Sequence, residues 1–158
     1  MEKDLVSYII PIWEKSTYFQ IESSINSLIN DGTLGMFPYH IAGSYRRGKM
    51  EGLHDVDIVV VNDFRDGNKE TIRVLDEQVD LFYCGVDSFA PAFMTWTGSM
   101  NFNIMCRGKS KQMGLKFSQY GIINRDTEER VDDNTEDGII DLLKLDKRFY
   151  EPSERSRV

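Results

Sequence analysis

The chain has 158 residues, 28% of them charged, and a net charge of −7. That length can enclose a hydrophobic core without disulfide or metal staples. No apolar run approaches the ~20 residues of a membrane span, and the start, MEKDLVSYII, is acidic where a secretory signal is basic, so a membrane role is excluded on this reading and a cytoplasmic location is expected, or a nuclear or viral-factory one for a viral protein.

From the N-terminus, apolar spacing predicts two short helices over residues 5–13 and 19–29, with a break at 15–17 and a stop at Asp31-Gly32. Residues 39–42 read as a strand running into Gly43, and the β-branched run at 56–61 reads as a second strand. A turn at 63–67 precedes two further strands, 71–75 and 78–83, and in the second Asp80 interrupts one face of the alternation. A soft boundary falls at 90–93. Ser99 is placed to cap a helix reaching residue 113. Short strands follow at 115–120 and 122–124, then a last helix at 136–143. Cys84 and Cys106 have neither Cys-x-x-Cys spacing nor histidine partners nearby, so zinc is not expected and both read as reduced thiols in or near the core. The fold class is α+β, with a mixed sheet and flanking helices over residues 1–92 and a smaller α/β part over 93–158.

The mean charge opposes a polyanionic partner, but the charge is unevenly spread. Residues 100–125 hold Arg107, Lys109, Lys111, Lys116 and Arg125 and no acid, whereas residues 126–141 hold eight acids and only Arg130. A solvated helix face followed by an acidic loop accounts for such a run as readily as a binding surface does.

The chemistry concentrates between Gly43 and Asp57. Asp55 and Asp57, two apart at a strand start, project to the same side of a sheet and repel each other. A cation or a shared proton relieves such a pair, and a hard divalent ion is the usual solution. Asp80 on an adjacent strand would complete a cage for two ions ~3.5–4 Å apart, the spacing that suits phosphoryl transfer. A lone Asp-x-Asp is ordinarily only a strand-end pair, but here Gly43 permits a tight turn that aims its own amide and that of Ser44 at a phosphate oxygen. Arg46, Arg47 and Lys49 add cations, and guanidinium offers the bidentate fork that phosphate favours.

Gly43-Ser44, then Asp55-Val56-Asp57, then a separate Asp80 resemble the signature of the nucleotidyltransferase superfamily. VDLFYCGVDSFAPAFMTWTGSMNFNIMCRGKSKQMGLKFSQYGI and the ending FYEPSERS are similar to family X DNA polymerases, the group of polymerases beta, lambda and mu and terminal transferase. The resemblance spans about residues 39–155. It implies a nucleotidyltransferase palm over 1–92, a thumb over 93–158, and addition of a nucleotide to a DNA 3'-hydroxyl with release of pyrophosphate. It further implies that Asp55 and Asp57 ligate two Mg2+ (or Mn2+) ions and that Asp80 ligates the one at the primer hydroxyl. Gly43, Ser44 and Arg47 are then the triphosphate grip. Lys49 and His54 match the terminal transferase and polymerase mu version of the loop, save for one extra residue, Leu53. Thr95, Trp96 and Gly98 correspond to the turn that meets the sugar and base. Asn103 corresponds to a contact with the new base, and Arg107 and Lys111 continue the same helix face toward template DNA.

Departures from the family pattern shape the expectation. Thr95 stands where polymerases beta and lambda have a tyrosine that crowds the sugar 2' position, which implies weak exclusion of ribonucleotides. Residues 62–77 leave little room for the loop that terminal transferase uses in place of a template, so template-dependent synthesis is expected. Gln78 stands where many relatives place an arginine. About forty residues precede Gly43, too few for lyase and helix-hairpin-helix domains, so the expectation is a monomeric palm-plus-thumb enzyme filling short gaps in DNA repair. Its partners would be gapped or primer-template DNA and dNTP, with NTP tolerated. Two alternatives stay open: a terminal transferase or other nucleotidyltransferase acting on RNA or another acceptor, and a non-catalytic nucleic-acid-binding remnant. Retention of three carboxylates that cost folding energy weighs against the remnant.

Overall fold

The computed structural model describes residues 12–34, 37–49, 52–74 and 77–158. Helix α1 (Ile12–Asn30) is continuous, so the break expected at 15–17 does not occur. The helix expected at 5–13 lies, but for its last two positions, outside the described residues. Ser16 and Thr17 cost under about 0.7 kcal/mol each in a helix interior, no Gly or Pro interrupts the segment, and Ile21 and Leu28 anchor its later turns in the core. The chain turns away where Gly32 takes φ +84°.

Strands β1 (Tyr39–Ile41), β2 (Asp55–Val61), β3 (Lys69–Val74) and β4 (Glu77–Cys84) form one mixed sheet in the order β1-β2-β4-β3. The central β2–β4 pair is parallel and the outer pairs are antiparallel. Central parallel strands need cover on both faces, and alternation supplies it. Val56, Ile58 and Val60 with Val79, Leu81 and Tyr83 pack with Ile21 and Leu28 of α1, while Val59, Phe82 and Cys84 pack with Ala42 and Ala92 on the other face.

That second face is covered by helix α3 (Phe89–Thr97), which follows the four-residue helix α2 (Gly43–Arg46) in chain order. α3 runs through residues 90–93, where composition places only a soft boundary. Its Phe89, Ala92, Phe93 and Trp96 lie against the sheet, and its Ala90 and Met94 belong to the C-terminal core. Burial on two sides removes the polar face that an amphipathic pattern requires. Pro91 falls in the first turn, where its missing N–H leaves no helical bond unmade.

The C-terminal part holds helix α4 (Met100–Gln112), the antiparallel pair β5 (Leu115–Ser118) and β6 (Gly121–Asn124), and helix α5 (Glu136–Leu142). Ser99 caps α4 by accepting from the Phe102 amide, and Thr135 caps α5 by accepting from that of Gly138. Phe102, Cys106, Leu115, Ile122, Ile139, Ile140, Leu143 and Phe149 form its core, and two 3-10 turns, Lys147–Tyr150 and Pro152–Ser156, close the chain. Cys84 and Cys106 are free and buried, and burial pushes their thiols up to about 11 and about 12. Among the described residues no helix is long and apolar enough to cross a membrane. The fold is α+β.

Candidate active site

The parallel register pairs Asp57 with Asp80, and Asp55 precedes Asp57 by two on the same face. One carboxylate oxygen from each of the three lies within 4.8 Å of the others. Burial, then the charges of Asp55 and Asp80, push the Asp57 carboxyl up to about 7, against the opposing effect of Lys69. Carboxylates held this close are electrostatically costly, and three hard oxygen donors at this spacing fit a divalent ion such as Mg2+ or Mn2+.

Gly43 opens α2 with φ +63°, and a β-carbon there would stand 2.0 Å from Asp57 Oδ2. The Ala42 amide donates to the Asp57 carbonyl at 2.8 Å, which fixes this approach. Gly43 therefore clears space for the carboxylate as well as making the turn. Ser44, half-buried, follows it in α2. Arg47, just past α2, donates Nε to Ser156 Oγ at 2.9 Å and Nη1 to the Thr97 carbonyl. Its Nη2 has no protein partner among the described residues. Burial weighs against the Arg47 charge and Asp57 offsets that.

Arg46 does not join the phosphate-side cations that the sequence groups it with. Its guanidinium grips Glu136 with both nitrogens at 2.7 and 2.6 Å, donates to Thr97 Oγ1 at 2.9 Å and lies 3.6 Å over the Phe93 ring. Arg155, fully buried, donates to the same carboxylate at 3.1 Å. Lys49 and His54 are exposed and their side chains make no hydrogen bond or ion pair among the described residues, while the extra Leu53 packs against the core beneath the sheet.

On the other side, Gly98 ends α3 with φ +70°, a cis peptide joins it to Ser99, and a β-carbon on it would meet Arg47 Nη1 at 3.0 Å. Thr95, Trp96, Asn103, Arg107, Phe117, Ser118 and Gln119 line a cleft of about 220 Å3. Trp96 stacks on Phe82 with ring centroids 4.0 Å apart and planes 13° apart. Phe82 shares its sheet face with Asp80, so the stack joins the cleft to the aspartates. Thr95 Oγ1 donates back to the Pro91 carbonyl at 2.7 Å. Asn103 Nδ2 donates to the Thr95 carbonyl at 2.8 Å, and its buried Oδ1 has no partner among the described residues. Arg107 and Lys111 are exposed on α4.

The three aspartates, Gly43 and Arg47 thus form one locality and the Trp96–Asn103–Arg107 cleft another, linked by Phe82. Two neighbours escape a reading of the sequence. Thr71 donates Oγ1 to Asp80 Oδ1 at 2.6 Å, and Lys69 contributes the charge that opposes the rise at Asp57. Both belong to β3, and pairing of the two successive predicted strands as a hairpin is the signal that places Thr71 opposite Asp80.

Residues 92–156 match the family model of the DNA polymerase beta thumb. Among solved structures, the ternary primer/template complex of Leishmania infantum polymerase beta has the same fold. The match covers 96% of this chain and 78% of that chain with a TM-score of 0.67, at 16% sequence identity. No match was found among curated protein sequences. The thumb match takes in the whole cleft from Thr95 to Gln119, and the shared fold takes in the sheet that carries the aspartates. The chain accordingly carries a DNA polymerase beta-type thumb over residues 92–156 and has the overall fold of a polymerase beta.

Proposed function

We propose that the protein is a metal-dependent DNA polymerase that adds a nucleotide to a primer 3'-hydroxyl with release of pyrophosphate, directed by a template, on short gaps. The observation that carries this reading is the convergence of Asp55, Asp57 and Asp80 within 4.8 Å on the sheet face that Phe82 links to the cleft. Asp55 and Asp57 would hold two magnesium or manganese ions and Asp80 one of them. Bound there, the ions supply the positive charge that polarises the primer hydroxyl and neutralises the departing pyrophosphate.

The chain's own residues do the rest. The Gly43 and Ser44 amides and the unpaired Arg47 Nη2 receive triphosphate oxygens. The Asp80 carboxylate, bonded by Thr71 at Oδ1 and by Gln78 at both oxygens, is available to accept the proton of the 3'-hydroxyl. Trp96, held flat by Phe82, presents a surface for sugar and base, and the unpaired Asn103 Oδ1 accepts from a donor on the nucleotide. Arg107 and Lys111 meet the template, in keeping with modest, salt-sensitive DNA affinity. Thr95 ties its short side chain back to Pro91, which leaves the sugar 2' position uncrowded and implies use of NTP beside dNTP.

Extension of a labelled primer on one-nucleotide-gapped DNA, in parallel with a single-stranded primer, tests the reading with each dNTP and NTP and with Asp80→Ala as control. Templated addition that the variant lacks is the expected result. Addition only to the single strand would make the protein a terminal transferase, and none to either, with magnesium or manganese, would overturn polymerase activity.

A further inference from the structure

Asp80 is 5% exposed, and a buried carboxylate must be hydrogen-bonded to be retained. Among the described residues it has no cationic partner at ion-pair distance; its donors are neutral. Thr71 Oγ1 donates to Oδ1 at 2.6 Å, a short hydrogen bond, while Gln78 Nε2 lies at 3.4 Å from Oδ1 and 3.3 Å from Oδ2. The β3–β4 register sets Thr71 directly opposite Asp80, and its β-branch leaves few rotamers. The hydroxyl is therefore delivered by two fixed backbones to one carboxylate oxygen, and Oδ2 is left the freer of the two.

Resting on the polymerase reading of the aspartates, we infer that Thr71, assisted by Gln78, is the positioning residue of Asp80. It holds the carboxylate in the orientation that presents its second oxygen to a divalent ion. Its donor being neutral matters. A cation beside Asp80 would orient it too, but would offset part of the negative charge that draws the metal. A hydroxyl orients without neutralising. Partners of metal-binding carboxylates that act in this way commonly carry a 10- to 100-fold effect on metal affinity or activity.

The test is Mn2+ binding to the full chain, read by the loss of free-ion signal in electron paramagnetic resonance, for wild type, Thr71→Val, Thr71→Ser and Asp80→Asn, together with single-nucleotide incorporation kinetics. Thr71 is exposed and Val keeps its β-branch, so the variants are expected to fold, and circular dichroism with thermal melts checks this. The expected result is that Thr71→Val weakens Mn2+ binding by about ten-fold and lowers kcat with little change in the nucleotide KM, while Thr71→Ser restores both. Wild-type affinity and kcat in Thr71→Val, or a loss that Thr71→Ser fails to restore, would overturn the inference alone. Wild-type protein whose Mn2+ binding is indifferent to Asp80→Asn would overturn the metal-site reading, and this inference with it. Gln78→Ala, expected to have the smaller effect of the two, provides a second route if Thr71→Val melts early.

Discussion

A β-carbon on Gly43 would stand 2.0 Å from Asp57 Oδ2, closer than any real contact allows. The backbone there also sits at φ +63°, a region that costs a non-glycine residue roughly 1–2 kcal/mol. Gly43→Ala is therefore expected to displace the Asp57 carboxylate and to lower stability by about that amount. Incorporation should fall far more than stability does, because Asp55 and Asp57, the proposed metal ligands, share the strand. Single-turnover incorporation and urea denaturation on the same preparation separate the two effects.

The Asp57 carboxyl, raised to about 7 by burial and its two acidic neighbours, gives the metal-free protein a definite pH signature. Its folded value lies above the ordinary 3.8, so the folded state holds the proton more tightly than the unfolded state. The associated stability is complete below about pH 4 and is lost as pH rises to about 7. Asp57→Asn should accordingly stabilise the metal-free protein at pH 8, by on the order of 1 kcal/mol once solvent screening is allowed for. Added Mg2+ or Mn2+ should flatten the wild-type profile and leave that of the variant little changed. Thermal melts across pH with and without metal would show it, and a flat metal-free profile would refute it.

Glu136 takes two bonds from Arg46 and one from the fully buried Arg155. Although burial opposes it, these partners hold its carboxyl below the usual range. Glu136→Ala leaves both cations without that counter-charge and is expected to cost about 3–5 kcal/mol. Glu154→Ala, which breaks a partly exposed ion pair with Arg148, should cost at most about 1 kcal/mol. Because the folded value is depressed, the Glu136 contribution is present above the ordinary 4.5 and disappears as pH falls through the folded value. Urea titrations of the two variants at neutral and acid pH check magnitude and sign.

Thr95 lines the cleft with its hydroxyl turned back to Pro91. Thr95→Tyr adds bulk where a ribose 2'-hydroxyl would lie, so discrimination of dNTP over NTP should rise by about ten-fold or more. The comparison of kcat/KM for matched dNTP and NTP in both proteins decides it. Equal ratios would mean that the sugar is sensed elsewhere.

Some of this architecture was legible in the residues. The β-branched run of β2 announces a central strand, and aspartates at its mouth stand out because no apolar core needs them. The helix start at Ser99 is visible because a cap is a local bond between a side chain and an amide three residues on. What stayed hidden depends on distance or on a missing contrast. α3 lacks a polar side because it is covered twice, so no periodicity marks it. α1 contains Ser16 and Thr17, whose local preference for turns is small beside the pull of a long helix. Arg46 belongs by position to the phosphate-side cations, but its partner Glu136 is 90 residues away, and no local pattern reveals that. The Trp96–Phe82 stack and the Thr71 hydroxyl on Asp80 likewise arise from pairing between elements.

The nine residues of α3 give the sheet Ala92 and Trp96 and the C-terminal core Ala90 and Met94. Neither half can rearrange its packing against this helix without disturbing the other, because a rigid rod that turns moves both of its sides at once. Melting should therefore appear as a single transition. A nucleotide seated on Trp96 would be felt at Ile139 and Ile140, which it never touches, as slower exchange of their amide hydrogens.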